Sequence, residues 1–295
     1  LFRSVIATAV SVLTAMAFDF AQGMEIKSLD NMLYVYLFIN GIFLLFSYPL
    51  LYLVEKLFGF VSSVTLIELS NINNPLLRRL SKEAAGTFNH SMQVANLAAD
   101  AASKIGAKVL LVRTGAMYHD IGKLKNPAFF TENQSGGKPH DQLSPEGSAR
   151  IIISHVPDGL KLAEKNHLPS AVKSFISTHH GRSKAKYFYI TWQNAHPGEK
   201  PDEDVFTYPG PNPSTREQAI LMMADSVEAA SRSLKEYSDE SISELVNRII
   251  DSQIADGLLR NAPLTFKDVE DVKAVFIEKL KTMYHTRISY PDLKK

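Results

Sequence analysis

From Leu33 to Val54 the chain runs 22 residues without a charge (LYVYLFINGIFLLFSYPLLYLV). At about 1.5 Å rise per residue this predicts a helix about 33 Å long, enough to cross a hydrocarbon core about 30 Å thick. Gly41 and Pro49 lie within it, and both residue types are tolerated in membrane helices. Ser4 to Phe18 is a second uncharged stretch of 15 residues, between Arg3 and Asp19. Three readings fit it: a spanning helix whose start precedes Leu1, a signal-peptide apolar region ending at Ala15-Met16-Ala17, or an amphipathic core segment. Its freedom from charge disfavours the last, and the first is the preferred reading. Two spans are therefore expected, at about 1–20 and 33–54.

The flanks give an orientation. Glu25 and Asp30 accompany one Lys27 between the stretches, whereas Arg3 precedes them and Lys56, Arg78, Arg79 and Lys82 follow. Positive-inside counting places the intervening loop outside and everything after about residue 55 in the cytoplasm.

Beyond residue 72 the periodicity changes to that of amphipathic helices. Asn74-Pro75 supplies a cap and a first-turn proline, with Gly86 as the stop. Thr87 is expected to cap a helix carrying Val94, Leu97, Ala98 and Ala101 on one face and ending at Gly106. Further helices are expected over Lys108–Asp120, from Ser144 to His155 with Pro157 beyond, and over Ser170–His180. Another opens at the capping box Ser214-x-x-Glu217, another at Ser241-x-x-Glu244, and the last at Thr265. Two polar stretches, 126–143 and 188–213, read as long loops of the kind that carry function. The expected organisation is a membrane part (1–56), a juxtamembrane connector (57–80) and a helical domain (81–295).

Composition narrows the chemistry. The 295 residues carry 32 Lys plus Arg against 31 Asp plus Glu, so at net charge +1 no basic field is available to grip a nucleic-acid duplex. Cysteine is absent, which excludes disulfides, thiolate zinc sites, iron–sulfur clusters and a cysteine nucleophile. Any metal must be held by imidazole and carboxylate.

Such groups occur in apolar settings on five predicted helices. His90 sits in an early turn, His119-Asp120 ends VLLVRTGAMYHD, His155 ends ARIIISH, His179-His180 ends FISTHH, and Asp225 interrupts ILMMAD. An ionised carboxylate buried there costs several kcal/mol unless it is paired or binds a metal. Seven N and O donors without sulfur suit a pair of hard-to-borderline cations such as Fe, Mn or Co, with zinc less favoured. A second His-Asp pair, His140-Asp141, lies in a loop before a helix cap and reads as a lid or turn element rather than a core ligand. His167, His196 and His285 have no partner at motif spacing and read as structural or surface residues.

His90, the run His119-Asp120-Ile121-Gly122-Lys123 and Asp225 in MADSVEA resemble the HD-domain metal-dependent phosphohydrolases. With His155, His179-His180-Gly181, Lys186-Tyr187-Phe188-Tyr189 and the preceding span, the chain is similar to the membrane-anchored HD phosphodiesterases that cleave cyclic di-AMP (the PgpH type). The resemblance implies an all-α fold, an HD-domain helical bundle preceded by transmembrane helices. It also implies a multi-pass protein of a bacterial cell membrane, with its catalytic domain in the cytoplasm. In that family a sensor and further spans come earlier, so the chain reads as a C-terminal part.

By the same resemblance His90, His119, Asp120 and Asp225 hold one metal. Asp120, His155, His179 and His180 hold the other, with Asp120 bridging two divalent transition-metal ions, Mn or Fe. Metal-activated hydroxide would then attack phosphorus and open cyclic di-AMP to linear pApA. Lys123 is the expected catalytic and phosphate-contacting cation. Arg182, Tyr187 and Tyr189 are candidate substrate contacts, the tyrosines by stacking on a purine. Relatives that cleave cyclic di-GMP carry Gly-Tyr-Pro after the His pair; here the segment reads HHGRSKAKYFY, and Tyr208-Pro209 follows Thr207. The expected partners are cyclic di-AMP and membrane lipid, with a homodimer left open. Two other readings stand beside this one: a different HD nucleotide or alarmone phosphohydrolase, and a membrane sensor that binds a nucleotide without cleaving it.

Overall fold

The computed structural model describes residues 2–23, 31–134 and 136–284, so Glu25, Lys27, Asp30 and His285 lie outside the described residues. The chain forms two units, residues 1–62 and 63–295.

The first unit is a pair of helices, α1 (Phe2–Ala21) and α2 (Asn31–Phe58), both long and apolar enough to cross a membrane. They approach closely where Gly41 meets Thr8; a Cβ at Gly41 would come within 2.7 Å of the Thr8 side chain. The Tyr34 hydroxyl donates to Asp19 Oδ2 at 2.8 Å, giving the buried Asp19 carboxyl a partner. Val10, Leu13, Phe38, Phe43, Phe46 and Tyr52 are exposed, a surface that suits lipid rather than water.

The second unit is helical, without strands among the described residues. Its elements are α3 (Ser63–Leu69), α4 (Pro75–Glu83), α5 (Ala85–Lys104), α6 (Val109–Tyr118), α7 (Pro145–Lys165), α8 (Ser170–Thr178), α9 (Lys186–Ala195), α10 (Glu203–Phe206), α11 (Arg216–Ser231), α12 (Asp239–Ala255) and α13 (Phe266–Met283). Helix α5 is central and packs on α4, α6, α11 and α13. Its small buried residues Ala95, Ala98, Ala101 and Ala102 let those neighbours come close, while Val94 and Leu97 fill the seams. Each fully buried side chain of that size contributes about 1.5–3 kcal/mol.

Several boundaries differ from the sequence expectation. Helix α5 starts at Ala85, so Gly86 lies inside it and Thr87 is not its cap; a Cβ at Gly86 would meet the Glu132 carbonyl at 1.8 Å. Helix α7 continues through Pro157 to Lys165, because proline there removes one backbone donor while Gly159 and Ala163 stay buried beyond it. The caps of α11 and α12 are Thr215 and Ser238, whose side chains accept from Gln218 N and Ser241 N. The polar stretch 188–213 contains most of α9 and all of α10, packed on α7 through Trp192 and Phe206. Residues 63–80, read from sequence as connector, belong to this unit: Leu66, Leu76, Leu77 and Leu80 are buried, and Ser70 bonds Thr114 at 2.7 Å.

Candidate metal centre

The His-Asp-Ile-Gly run ends α6 and turns straight into a short 3₁₀ segment, Ile121–Lys125, pressed against α7. Gly122 makes this possible. A Cβ on it would sit 1.8 Å from the His155 carbonyl oxygen and 2.5 Å from Gly159 N, so only hydrogen fits. That approach brings Asp120 beside His155. On the other side, a Cβ at Gly115 would fall 2.4 Å from the Phe175 ring, so α6 and α8 also pack tightly and carry His119 towards His179.

All seven sequence-predicted donors converge. His90, His119, Asp120 and Asp225 form one buried group that could hold a cation, and His155, His179 and His180 form a second. The Asp120 carboxylate lies between them. Its Oδ2 is 3.2 Å from His119 Nε2 and 3.7 Å from His90 Nε2; its Oδ1 is 3.4 Å from His155 Nε2 and 3.6 Å from His179 Nε2. Asp225 Oδ1 lies 2.9 Å from His90 Nε2, and its Oδ2 lies 3.9 Å from His180 Nδ1.

The imidazoles are aimed by their own helices. His119 Nδ1 donates to the Ala116 carbonyl at 2.6 Å, His155 Nδ1 to Ile152 at 2.6 Å and His179 Nδ1 to Ile176 at 2.9 Å. Each bond runs back three residues, fixes the tautomer and turns Nε2 inward. His180 is held differently, lying at 4.2 Å between ring centroids on the buried Tyr208.

Protonation favours cation binding. Burial lowers the basicity of His155, His179 and His180, the last to about 3, so these rings are neutral donors. Burial also opposes charge on Asp120 and Asp225, but His119 and Lys123 around the first, and His119 and His90 around the second, hold both carboxyls well below the usual range. Burial works against the His119 cation too, yet Asp120 and Asp225 lift its pKa to about 10. A metal there would displace that proton. His119 Nε2 and Asp120 Oδ1 are buried without a hydrogen-bond partner, and a cation satisfies such atoms. The imidazole and carboxylate donors fit bound metal ions.

Lys123 is not a solvated surface residue. Its ammonium lies 2.7 Å from Asp120 Oδ2 and 2.8 Å from Glu132 Oε1, and the Glu132 carboxylate also accepts from Thr87 Oγ1 at 3.0 Å. Lys123 borders a cavity of about 490 Å³ that reaches His90, Asp120, Glu132, Asp225 and Arg232. A second cavity of about 370 Å³ is bordered by His179, Tyr187, Phe188, Tyr208, Met222 and Gln253. Both reach His180 and Ser226.

Three candidate substrate contacts separate in space. Tyr187 is exposed at the second cavity. Tyr189, two helical positions on, faces another way and packs on Phe206 with the Lys184 amine 4.4 Å above its ring. Arg182 follows Gly181, whose φ of +53° turns the chain, and its stem lies over Gly210. Neither Tyr189 nor Arg182 borders either of these two cavities. His140 bonds the Phe129 carbonyl at 2.8 Å and stands outside both donor groups, in keeping with a turn element.

Sequence reasoning missed Tyr208, Glu132 and Glu228. Only Glu228 carried a usable signal: it lies three residues after Asp225, on the same face of α11, and is fully buried.

The HD domain family model matches residues 87–230. Cyclic-di-AMP phosphodiesterase PgpH of Listeria monocytogenes is 41% identical over 272 residues, which is 92% of this chain and 38% of that protein. The protein of the same name from Bacillus subtilis is 41% identical over 274 residues, again 92% and 38%. The chain thus spans about two fifths of the length of these curated relatives. The solved HD domain of L. monocytogenes phosphodiesterase PgpH in complex with cyclic-di-AMP superimposes with TM-score 0.69 at 42% identity, covering 74% of this chain and 100% of that one. Since the likeness takes in the whole of that solved domain, this chain belongs to the HD-domain family and, within it, to the group that PgpH represents.

Proposed function

We propose that this chain is a metal-dependent phosphodiesterase that opens cyclic di-AMP to linear pApA. One observation carries the reading: the two oxygens of Asp120 face two separate donor groups, at the junction of two cavities that meet at His180 and Ser226. A two-base cyclic substrate suits two cavities flanking one reacting centre. The PgpH relatives are cyclic-di-AMP phosphodiesterases by name, and the similar HD domain was solved with that nucleotide, which supports the substrate class.

In this reading His90, His119, Asp120 and Asp225 hold one divalent transition metal, and Asp120, His155, His179 and His180 hold the other, manganese or iron by the N and O donor set. When bound, such a pair supplies Lewis acidity at phosphorus and a water of near-neutral pKa. The protein's own groups do the rest. Asp120 keeps the two donor groups in register. Lys123, kept charged between Asp120 and Glu132, neutralises a non-bridging phosphate oxygen. Tyr187 offers an exposed ring for a purine, a contact of about 1–3 kcal/mol. Tyr208 pins His180 against rotation. Helices α1 and α2 cross the bacterial membrane, and the basic residues after residue 55 keep the catalytic unit in the cytoplasm.

The test is to purify the full chain in detergent and incubate it with Mn2+ and, in parallel, cyclic di-AMP, cyclic di-GMP and a nucleoside triphosphate. Linear pApA as the main product is expected. Faster turnover of either other substrate, or nucleotide binding without turnover, would replace this reading with another HD hydrolase or a sensor.

A further inference from the structure

Three of the imidazoles are braced by carbonyls of their own helices, but His90 is not. Its Nδ1 is in short contact with Glu228 Oε2, contributed by α11 and fully buried. The other Glu228 oxygen accepts from Arg232 Nε at 2.9 Å and Nη2 at 2.6 Å, and Arg232 Nη2 continues to Gln93 Oε1 at 3.4 Å. Helix α11 therefore presents two carboxylates to one imidazole: Asp225 beside Nε2 and, one turn later, Glu228 behind Nδ1. An isolated buried carboxylate would be expensive, so the Arg232 fork is what allows Glu228 to stand there with one oxygen left for His90.

We propose that Glu228, clamped by Arg232, is a positioning residue for His90 that strengthens it as a donor and makes the His90–His119–Asp120–Asp225 position the tighter of the two. A carboxylate behind an imidazole raises its basicity towards a cation more than a carbonyl does. The tighter position also has Asp225 besides the shared Asp120, whereas the other has three imidazoles, two of them carbonyl-braced, and only the shared Asp120. Filling is then ordered, with the His90 position first.

This inference rests on the metal-centre reading above, and the test separates the two. The full chain in detergent, stripped of metal, is titrated with Mn2+ and bound ion is counted by electron paramagnetic resonance. Wild type should show two constants, with His90→Ala losing the tighter and His180→Ala the weaker. Glu228→Gln keeps the shape and removes the charge; it should weaken the tighter constant about 10- to 100-fold and leave the weaker within about twofold. Arg232→Gln, at a part-exposed position, removes the guanidinium clamp on Glu228 and should weaken the same constant severalfold. If both variants leave the constants unchanged, or shift both together, the positioning role is wrong. Survival of the tighter constant in His90→Ala overturns the assignment. A wild-type chain that binds no Mn2+ overturns the metal-centre reading itself.

Discussion

Replacing Gly122 by alanine isolates the contact that sets the site. The added methyl would lie 1.8 Å from the His155 carbonyl oxygen, 2.5 Å from Gly159 N and 2.8 Å from the His155 carbonyl carbon, where an ordinary contact begins at 3.4 Å. Every clashing atom is backbone, so no rotamer relieves it; the 3₁₀ turn and α7 must part by about 1.5 Å. Ile121 and Leu124 are buried on the turn and His155 and Val156 on the helix, so the separation opens a packed seam. Overpacking of this kind costs about 1–3 kcal/mol, and each kcal/mol lowers the melting temperature of a unit this size by about 2–4 °C. The same movement carries Asp120 Oδ1 away from His155 Nε2, now at 3.4 Å. Misplacement by about 1 Å is worth about 100-fold in rate. We therefore expect Gly122→Ala to melt several degrees lower, bind fewer Mn2+ ions and cleave cyclic di-AMP about 100-fold more slowly. Gly147→Ala is the control: it is helical, its nearest neighbour would be Ser144 Oγ at 3.5 Å, and its melting temperature should hold or rise. A Gly122→Ala protein matching wild type in melting, metal content and rate would refute the steric argument.

Other expectations follow from the same geometry. Asp120→Ala should remove turnover altogether, because both donor groups lose a carboxylate oxygen; measurable hydrolysis near the wild-type rate would contradict the bridging role. His180→Ala should leave the first position filled and empty the second, read as a halved manganese content. Leu97→Ala, deep on α5, should cost about 2–5 kcal/mol in chemical denaturation without changing metal stoichiometry, and a loss below 1 kcal/mol would argue against α5 as the packing centre. In the metal-stripped chain the folded state holds His180 neutral down to about pH 3, whereas the unfolded chain protonates it near 6.5. Its contribution is therefore whole above pH 6.5 and is lost as pH falls towards 3. Denaturation at pH 7 and pH 5 should show lower stability at pH 5, and a smaller difference in His180→Ala; equal stability at both would reject the depressed pKa.

One imidazole on an apolar face is more often a hydrogen-bonded core residue; five helices each carrying His or Asp in such a setting, together with the family motif, are what singled these residues out. All seven fall together although they span residues 90 to 225. Helix ends were less legible. Ser214 and Thr215 both satisfy cap chemistry, and only the fold decides that Thr215 accepts from Gln218 N while Ser214 N donates to the Gln218 side chain. Proline at 157 read as a stop because periodicity cannot weigh one lost backbone bond against the packing of Gly159 and Ala163 beyond it. The stretch 188–213 looked like loop by its polar composition, yet Trp192 and Phe206 anchor it with Ala149. Gly122 could be recognised as part of a motif, but its purpose could not: the carbonyl it avoids lies 33 positions away in α7.

The bonds from His119, His155 and His179 to carbonyls three residues earlier make each ring an extension of its own helix turn. His119 and His179 sit at the last turns of α6 and α8, so those ends cannot fray without swinging a donor out of line. A bound cation pair would act as a rivet through α5, α6, α7, α8 and α11. Any strain that twists one of these helices would then reach the reaction as a change in ligand angle.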